Sequence, residues 1–111
     1  MDPNIWGPSA WLFLHSIALN YPDNPNIIQK NNYINFINSF SRIIPCQNCK
    51  IHFKNLLKKH PINMKVLRSK LSFLEWINLI HNKVNIRLKK KTFTLDESID
   101  LYKKIYKNQN K

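Results

Sequence analysis

The chain is poor in three things, and each shortage removes possibilities. It has one glycine, Gly7, in 111 residues. Sheet-rich folds use glycine at many tight turns, so this scarcity points to helices. It also removes Gly-rich dinucleotide loops of the GxGxxG kind, so any dinucleotide must be held another way. Cysteine is limited to Cys46 and Cys49. There is no second pair of the kind that completes a usual structural zinc site. Acidic residues number six against eighteen Lys and Arg. No apolar run is long enough to span a membrane, and the opening Met1-Asp2-Pro3-Asn4 has neither a secretory nor a transit signature. A cytosol-like compartment is therefore expected. Structural disulfides are rare there, and a CxxC pair is more often redox-active or metal-binding.

What is present is apolar enough to fold. Hydrophobic residues make up 43%, and the length suits one domain spanning 1–111. The formal net charge is +12. A basic surface attracts nucleic acid, anionic membranes or a phosphate-bearing cofactor. A lysine-rich surface that only keeps the chain soluble accounts for it equally well. The charge thickens over Arg87-Leu88-Lys89-Lys90-Lys91 and again at Lys103, Lys104, Lys107 and Lys111, which points to at least one phosphate site.

The apolar periodicity is helical throughout. Met1 to Trp6 reads as an extended lead-in. A first helix opens at Gly7 with Pro8 in its first turn and carries Trp11, Leu14, His15, Ala18 and Leu19. Tyr21-Pro22-Asp23-Asn24-Pro25 ends it. A second helix fits 26–43, with Ile27, Tyr33, Ile34, Ile37, Phe40 and Ile44 as its stripe. Pro45 stops it and opens a third from Cys46 to Lys59, ended by His60-Pro61. Residues 61–70 form a basic connector. A fourth helix runs from about Ser72 to Lys89 and buries Phe73, Trp76, Ile77, Ile80, Val84 and Leu88. Thr94 caps a short fifth helix, with Glu97 completing a capping box. The expectation is all-α: a four-helix bundle with a short fifth helix.

Cys46-Gln47-Asn48-Cys49 is where chemistry concentrates. A cysteine opening a helix meets free backbone N–H groups and the positive end of the dipole; both favour thiolate, and Lys50 adds a cation. Such a pair can cycle between dithiol and disulfide. Zinc is the rival, with His52 and His60 completing four ligands, but Cys46, Cys49 and His52 all lie within two turns of one helix. Haem attachment needs His directly after the second Cys, and position 50 is Lys. An inert reduced pair is the plainest reading. A redox dithiol in a helical bundle needs a bound electron acceptor, and a flavin suits. Gly7, Trp11 and His15 share one helical face; Trp76, His81, Asn82, Val84 and Asn85 form a second group leading to Lys90; Tyr102 is a third. Singly these are ordinary core residues. Together with the CxxC they resemble a site lining, because buried His and Asn need partners.

The ordered set resembles the Erv/ALR sulfhydryl oxidases, an FAD-dependent family. The residues that carry the resemblance are Gly7-Pro8-Ser9-Ala10-Trp11-Leu12-Phe13-Leu14-His15, Tyr21-Pro22, Cys46-Gln47-Asn48-Cys49 with His52-Phe53, and Trp76 through His81-Asn82-Lys83-Val84-Asn85 to Leu88. Lys90, Phe93 and Tyr102 continue it, with Tyr102 where the family often has tryptophan. The resemblance implies FAD at the bundle mouth, a homodimer, and a dithiol substrate oxidised to disulfide while O2 becomes hydrogen peroxide. It implies that Cys46 is the outer sulfur, attacked by substrate, and Cys49 the inner sulfur beside the flavin. Gly7, Trp11, His15, Tyr21, His52, Trp76, His81, Val84, Asn85, Leu88, Lys90 and Tyr102 would hold the cofactor. A structural disulfide of many cellular members is absent, since its positions look like Asn78 and Leu95. So is a shuttle CxxC on a tail. The minimal form is similar to the oxidases of large cytoplasmic DNA viruses. That implies a place in the host cytoplasm or in the virion and a viral dithiol protein, such as a thioredoxin-like one, as partner. A basic nucleic-acid-binding module with a structural or zinc-bound CxxC is the alternative.

Overall fold

The structure, a computed structural model, describes residues 1–108; Lys111 of the second basic cluster lies outside them. Five α-helices follow in order: α1 (Pro3–Leu19), α2 (Ile27–Ile43), α3 (Gln47–Lys59), α4 (Lys70–Arg87) and α5 (Leu95–Asn108), with a 3-10 turn at Val66–Arg68 between α3 and α4. The all-α architecture matches the periodicity. Among the described residues no helix is long and apolar enough to cross a membrane.

The caps explain most boundaries. The Asn26 side chain accepts from Gln29 N at 2.8 Å while Gln29 Oε1 accepts from Asn26 N at 2.9 Å, which closes a capping box on α2. Thr94 and Glu97 form the expected box on α5. Ser69 Oγ accepts from Ser72 N at 3.1 Å, so α4 starts at Lys70 and not at Ser72.

Two expectations about α1 are corrected. Its first turn is not extended, because Asp2 caps it and accepts from Asn4 N at 2.8 Å, with Pro3 in the first helical position. Pro8 therefore lies inside the helix. Its missing N–H deprives only the carbonyl of Asn4, an exposed residue that water can satisfy. Nor is α5 short: it has 14 residues, against 13 in α3. On α2, Ile27 is exposed and does not join the buried stripe.

Helix α4 is the central post, packing against α1, α3, α5 and the 3-10 turn, while α2 packs on α3. Phe73, Ile77 and Ile80 of α4 are almost fully buried against Leu14, Ala18, Ile37 and Leu67. Truncating a buried phenylalanine such as Phe73 to alanine typically costs about 3–5 kcal/mol. The link between α4 and α5 is held by side chains: Asn82 Nδ2 and Asn78 Nδ2 donate to the Phe93 carbonyl at 2.7 and 3.3 Å, and Phe93 N donates to Asn82 Oδ1 at 2.9 Å. This clamp joins α4 to the segment before α5 without a covalent bond.

Candidate functional site

Cys46 is the N-cap of α3, in extended backbone, and its Sγ accepts from Cys49 N at 3.3 Å. Cap geometry brings the two Cα atoms to 5.2 Å, and the cysteines form a disulfide. The sulfurs differ in surroundings. Cys49 lines a cavity of about 380 Å³ whose walls come from all five helices, α2 contributing Phe40, whereas Cys46 does not. Both cysteines are half-buried.

The cavity collects most of the residues singled out by the sequence. Gly7 and Trp11 come from α1, His52 from α3, His81, Val84 and Asn85 from α4, Leu88 and Lys90 from just beyond α4, and Tyr102 from α5. Gly7 is buried, and a Cβ there would meet no atom within 4 Å. The missing side chain thus leaves room on the cavity wall.

His15 stands behind this lining. Its Nε2 lies 2.9 Å from His81 Nδ1, and its ring stacks on Tyr102 at 4.0 Å and 10°. His81 stacks on Trp11 at 4.0 Å and 9°. Four rings from three helices are thereby locked into two stacks joined by one hydrogen bond. Burial, and then the facing His81, lowers the His15 pKa to about 3. Burial and then Lys90 lower His81 to about 4. Both are neutral at pH 7. Burial, Arg87 and Lys59 push His52 down as well, and burial raises Tyr102.

Lys90 reaches the cavity through the end of α4. Lys90 N donates to Asn85 O at 2.7 Å and Lys89 N to Ile86 O at 3.1 Å, with Lys89 at φ 58°. This is a Schellman termination with lysine in the left-handed position. It folds the chain back so that Lys90 and Arg87 both line the cavity.

Tyr21 and Trp76 are not brought to the cavity. Tyr21 is 1% exposed, donates to the Leu67 carbonyl at 2.5 Å and meets Tyr33 and Phe73 edge-on. Trp76 donates its indole N–H to the His60 carbonyl at 2.9 Å. Their polar atoms are already committed to backbone carbonyls, so both hold the core around the site. Conversely, Pro3 and Trp6 line the cavity although the sequence reading left them in an extended lead-in. The Asp2-Pro3 capping signal would have placed them on α1. Among the described residues no three His, Cys, Asp or Glu side chains converge as metal ligands.

The donor set suits a flavin dinucleotide. Flat aromatic and imidazole faces offer stacking, Gly7 leaves a cradle that a Cβ would fill, Arg87 and Lys90 supply charge for a pyrophosphate, and a disulfide sulfur stands in the same wall.

Comparison with known proteins gives the same picture. The Erv1 / Alr family model matches residues 8–107. A probable FAD-linked sulfhydryl oxidase of Acanthamoeba polyphaga mimivirus is 38% identical over 104 residues, covering 94% of this chain and 73% of that protein. An FAD-linked sulfhydryl oxidase of African swine fever virus (isolate Pig/Kenya/KEN-50/1950) is 37% identical, covering 91% and 79%. The chain spans only 43% of a rice relative to which it is 36% identical. Among solved structures, the FAD-binding domain of Erv1 from Saccharomyces cerevisiae superposes with a TM-score of 0.84 at 33% identity, covering 94% of this chain and 96% of that one.

Proposed function

The chain belongs to the Erv1 / Alr family, and from that premise we infer that it is an FAD-linked sulfhydryl oxidase which converts dithiols to disulfides. The observation that carries this reading is the unequal placement of the two sulfurs, with Cys49 on the wall of the cavity and Cys46 off it.

The residues account for the thiol chemistry. A substrate thiolate attacks Cys46 Sγ, the Cys46–Cys49 bond breaks, and Cys49 leaves as a thiolate facing the cavity. The α3 N-terminus favours negative charge there, while the Cys49 backbone N–H is directed at Cys46 Sγ, the sulfur that substrate attacks. A second substrate thiolate displaces Cys46, so the substrate ends as a disulfide and the enzyme holds two thiols. When bound, FAD supplies the two-electron acceptor for that thiol pair. Gly7, Trp11, His52, His81, Val84, Asn85, Leu88, Lys90 and Tyr102 would hold it, with His15 fixing His81 and Tyr102 from behind. Overall the dithiol gives up two electrons and two protons, and O2 takes them as hydrogen peroxide.

The proposal extends to assembly and setting. Phe13, Ile17 and Phe36 form an apolar patch between α1 and α2, with Phe13 and Phe36 exposed. A second copy packing there would make a homodimer. The viral relatives support a role in disulfide formation for proteins of a virus that assembles in its host's cytoplasm.

The direct test is the visible spectrum of the purified protein together with oxygen uptake on addition of dithiothreitol. A flavin band and dithiol-dependent uptake with peroxide formation are expected. A protein that stays colourless after refolding with FAD would sink the reading.

A further inference from the structure

No Asp or Glu stands between Asp23 and Glu75, while nine Lys and Arg do, and this stretch contains the disulfide. Among the described residues the only salt bridge is Lys70 with Asp23 at 4.0 Å. Two groups of basic residues near the disulfide differ in position. Arg87 and Lys90 line the cavity, and Lys59 lies close enough to His52 to depress its titration. Lys50, Lys54 and Lys58 do not line it. At four-residue steps along α3 they form one stripe that begins beside Cys46, at the N-cap, and runs down the flank away from His52. Lys54 and Lys58 are exposed. Exposed Ile51 lies beside the stripe, and exposed Ile43 precedes Cys46 by three residues.

This second group has no task in holding a cofactor, and like charges in a row on one helix repel each other. A binding partner of opposite sign would relieve that cost. The partner that must arrive at Cys46 is the thiol substrate. On the basis of the oxidase reading above, we propose that the Lys50–Lys54–Lys58 stripe is a docking surface for an acidic polypeptide substrate, one whose reactive cysteines are flanked by Asp or Glu. Nucleic acid would match the charge but brings no thiol to the sulfur at the head of the stripe. Complementary charge of this kind chiefly raises the rate of encounter, by about tenfold or more at low salt, and fades as the Debye length shrinks.

The test uses the flavin-loaded protein and three synthetic dithiol peptides that differ only in residues flanking the cysteines: four Glu, four Gln or four Lys. At low ionic strength kcat/KM is expected to be about tenfold higher for the Glu peptide than for the Gln peptide and lowest for the Lys peptide, converging in about 0.5 M salt. K54E/K58E should abolish or invert the order while leaving turnover of uncharged dithiothreitol unchanged. Equal kcat/KM for the three peptides at low salt, or an order that survives K54E/K58E, overturns the docking surface. So does a 20-base oligonucleotide bound through these lysines with no preference among the peptides. Dithiothreitol separates the two levels of the argument. If dithiothreitol is turned over but the three peptides are not discriminated by charge, only this inference fails; if dithiothreitol is not turned over at all, the oxidase reading fails.

Discussion

His15 and His81, 66 residues apart in sequence, share a hydrogen bond of 2.9 Å, and each ring is stacked on an aromatic partner from a different helix, His15 on Tyr102 and His81 on Trp11. One ring nitrogen donates and the other accepts, so the bond needs at least one of the two imidazoles neutral. A proton added to both would set two N–H groups against each other.

That pair makes the fold acid-sensitive. An unfolded histidine titrates near pH 6.5, whereas His15 and His81 in the fold titrate near 3 and 4. Their folded values are depressed, so the unfolded state binds more protons below pH 6.5. The stability they allow is complete above pH 6.5 and drains away as pH falls toward 3–4. Each can remove at most about 1.4 kcal/mol per pH unit in that window. Thermal melts of the cofactor-free protein from pH 7.5 to 4 should show a falling Tm, and His15→Gln should flatten the curve. A Tm independent of pH in the wild type would contradict the burial argument.

Gly7 separates stability from cofactor binding. It lies inside α1, where alanine is favoured over glycine by about 1 kcal/mol, and a Cβ there meets nothing. Gly7→Ala should raise the melting temperature of the cofactor-free protein. Gly7→Leu should fold equally well yet retain much less flavin, read as the ratio of visible to protein absorbance after gel filtration, because its side chain projects into the space the cofactor needs.

Cys46→Ser and Cys49→Ser should both stop dithiol-dependent oxygen uptake, by at least about a hundredfold in kcat, but for different reasons. Serine at 46 removes the sulfur that substrate attacks. It leaves Cys49, so the flavin remains bound with a thiol in its wall. Serine at 49 removes the sulfur on the cavity side, and the lone Cys46 should instead accumulate a mixed disulfide with substrate. Mass spectrometry of the two variants after exposure to an oxidised dithiol peptide distinguishes the roles; an adduct on Cys49 in the Cys46→Ser protein and none on Cys46 would reverse the assignment.

Asn82 holds both the N–H and the carbonyl of Phe93. Asn82→Ala leaves the half-buried N–H without its partner and the carbonyl with only the longer bond from Asn78, and should cost about 1–3 kcal/mol. Hydrogen exchange should quicken first in residues 91–98, ahead of the α4 core, because the clamp carries the junction to α5.

Much of the architecture was legible because its causes are local. The capping pairs Asn26–Gln29 and Thr94–Glu97, the proline stops and the 3.6-residue stripes each act within a turn or two of chain, so helices α2 to α5 stand close to where the pattern put them. The start of α1 is equally local in cause, yet its pattern reads as extended, whereas Pro3 is a first helical residue capped by Asp2. The identities of the cavity residues followed from a resemblance in their order, and nine of the twelve do line one cavity.

Periodicity says that a residue faces inward but not what stands opposite. Tyr21 and Trp76 carry the same signal as Trp11, yet packing gave their polar atoms to the carbonyls of Leu67 and His60 and left them in the core. By itself the sequence determined the helices and the placing of Cys46-Gln47-Asn48-Cys49 at the head of one of them. Only the packing of α1, α3 and α5 around α4 decided that Cys49 lines the cavity and Cys46 does not, and that two distant histidines meet. Those facts depend on contacts between segments far apart in the chain, and no local rule encodes them.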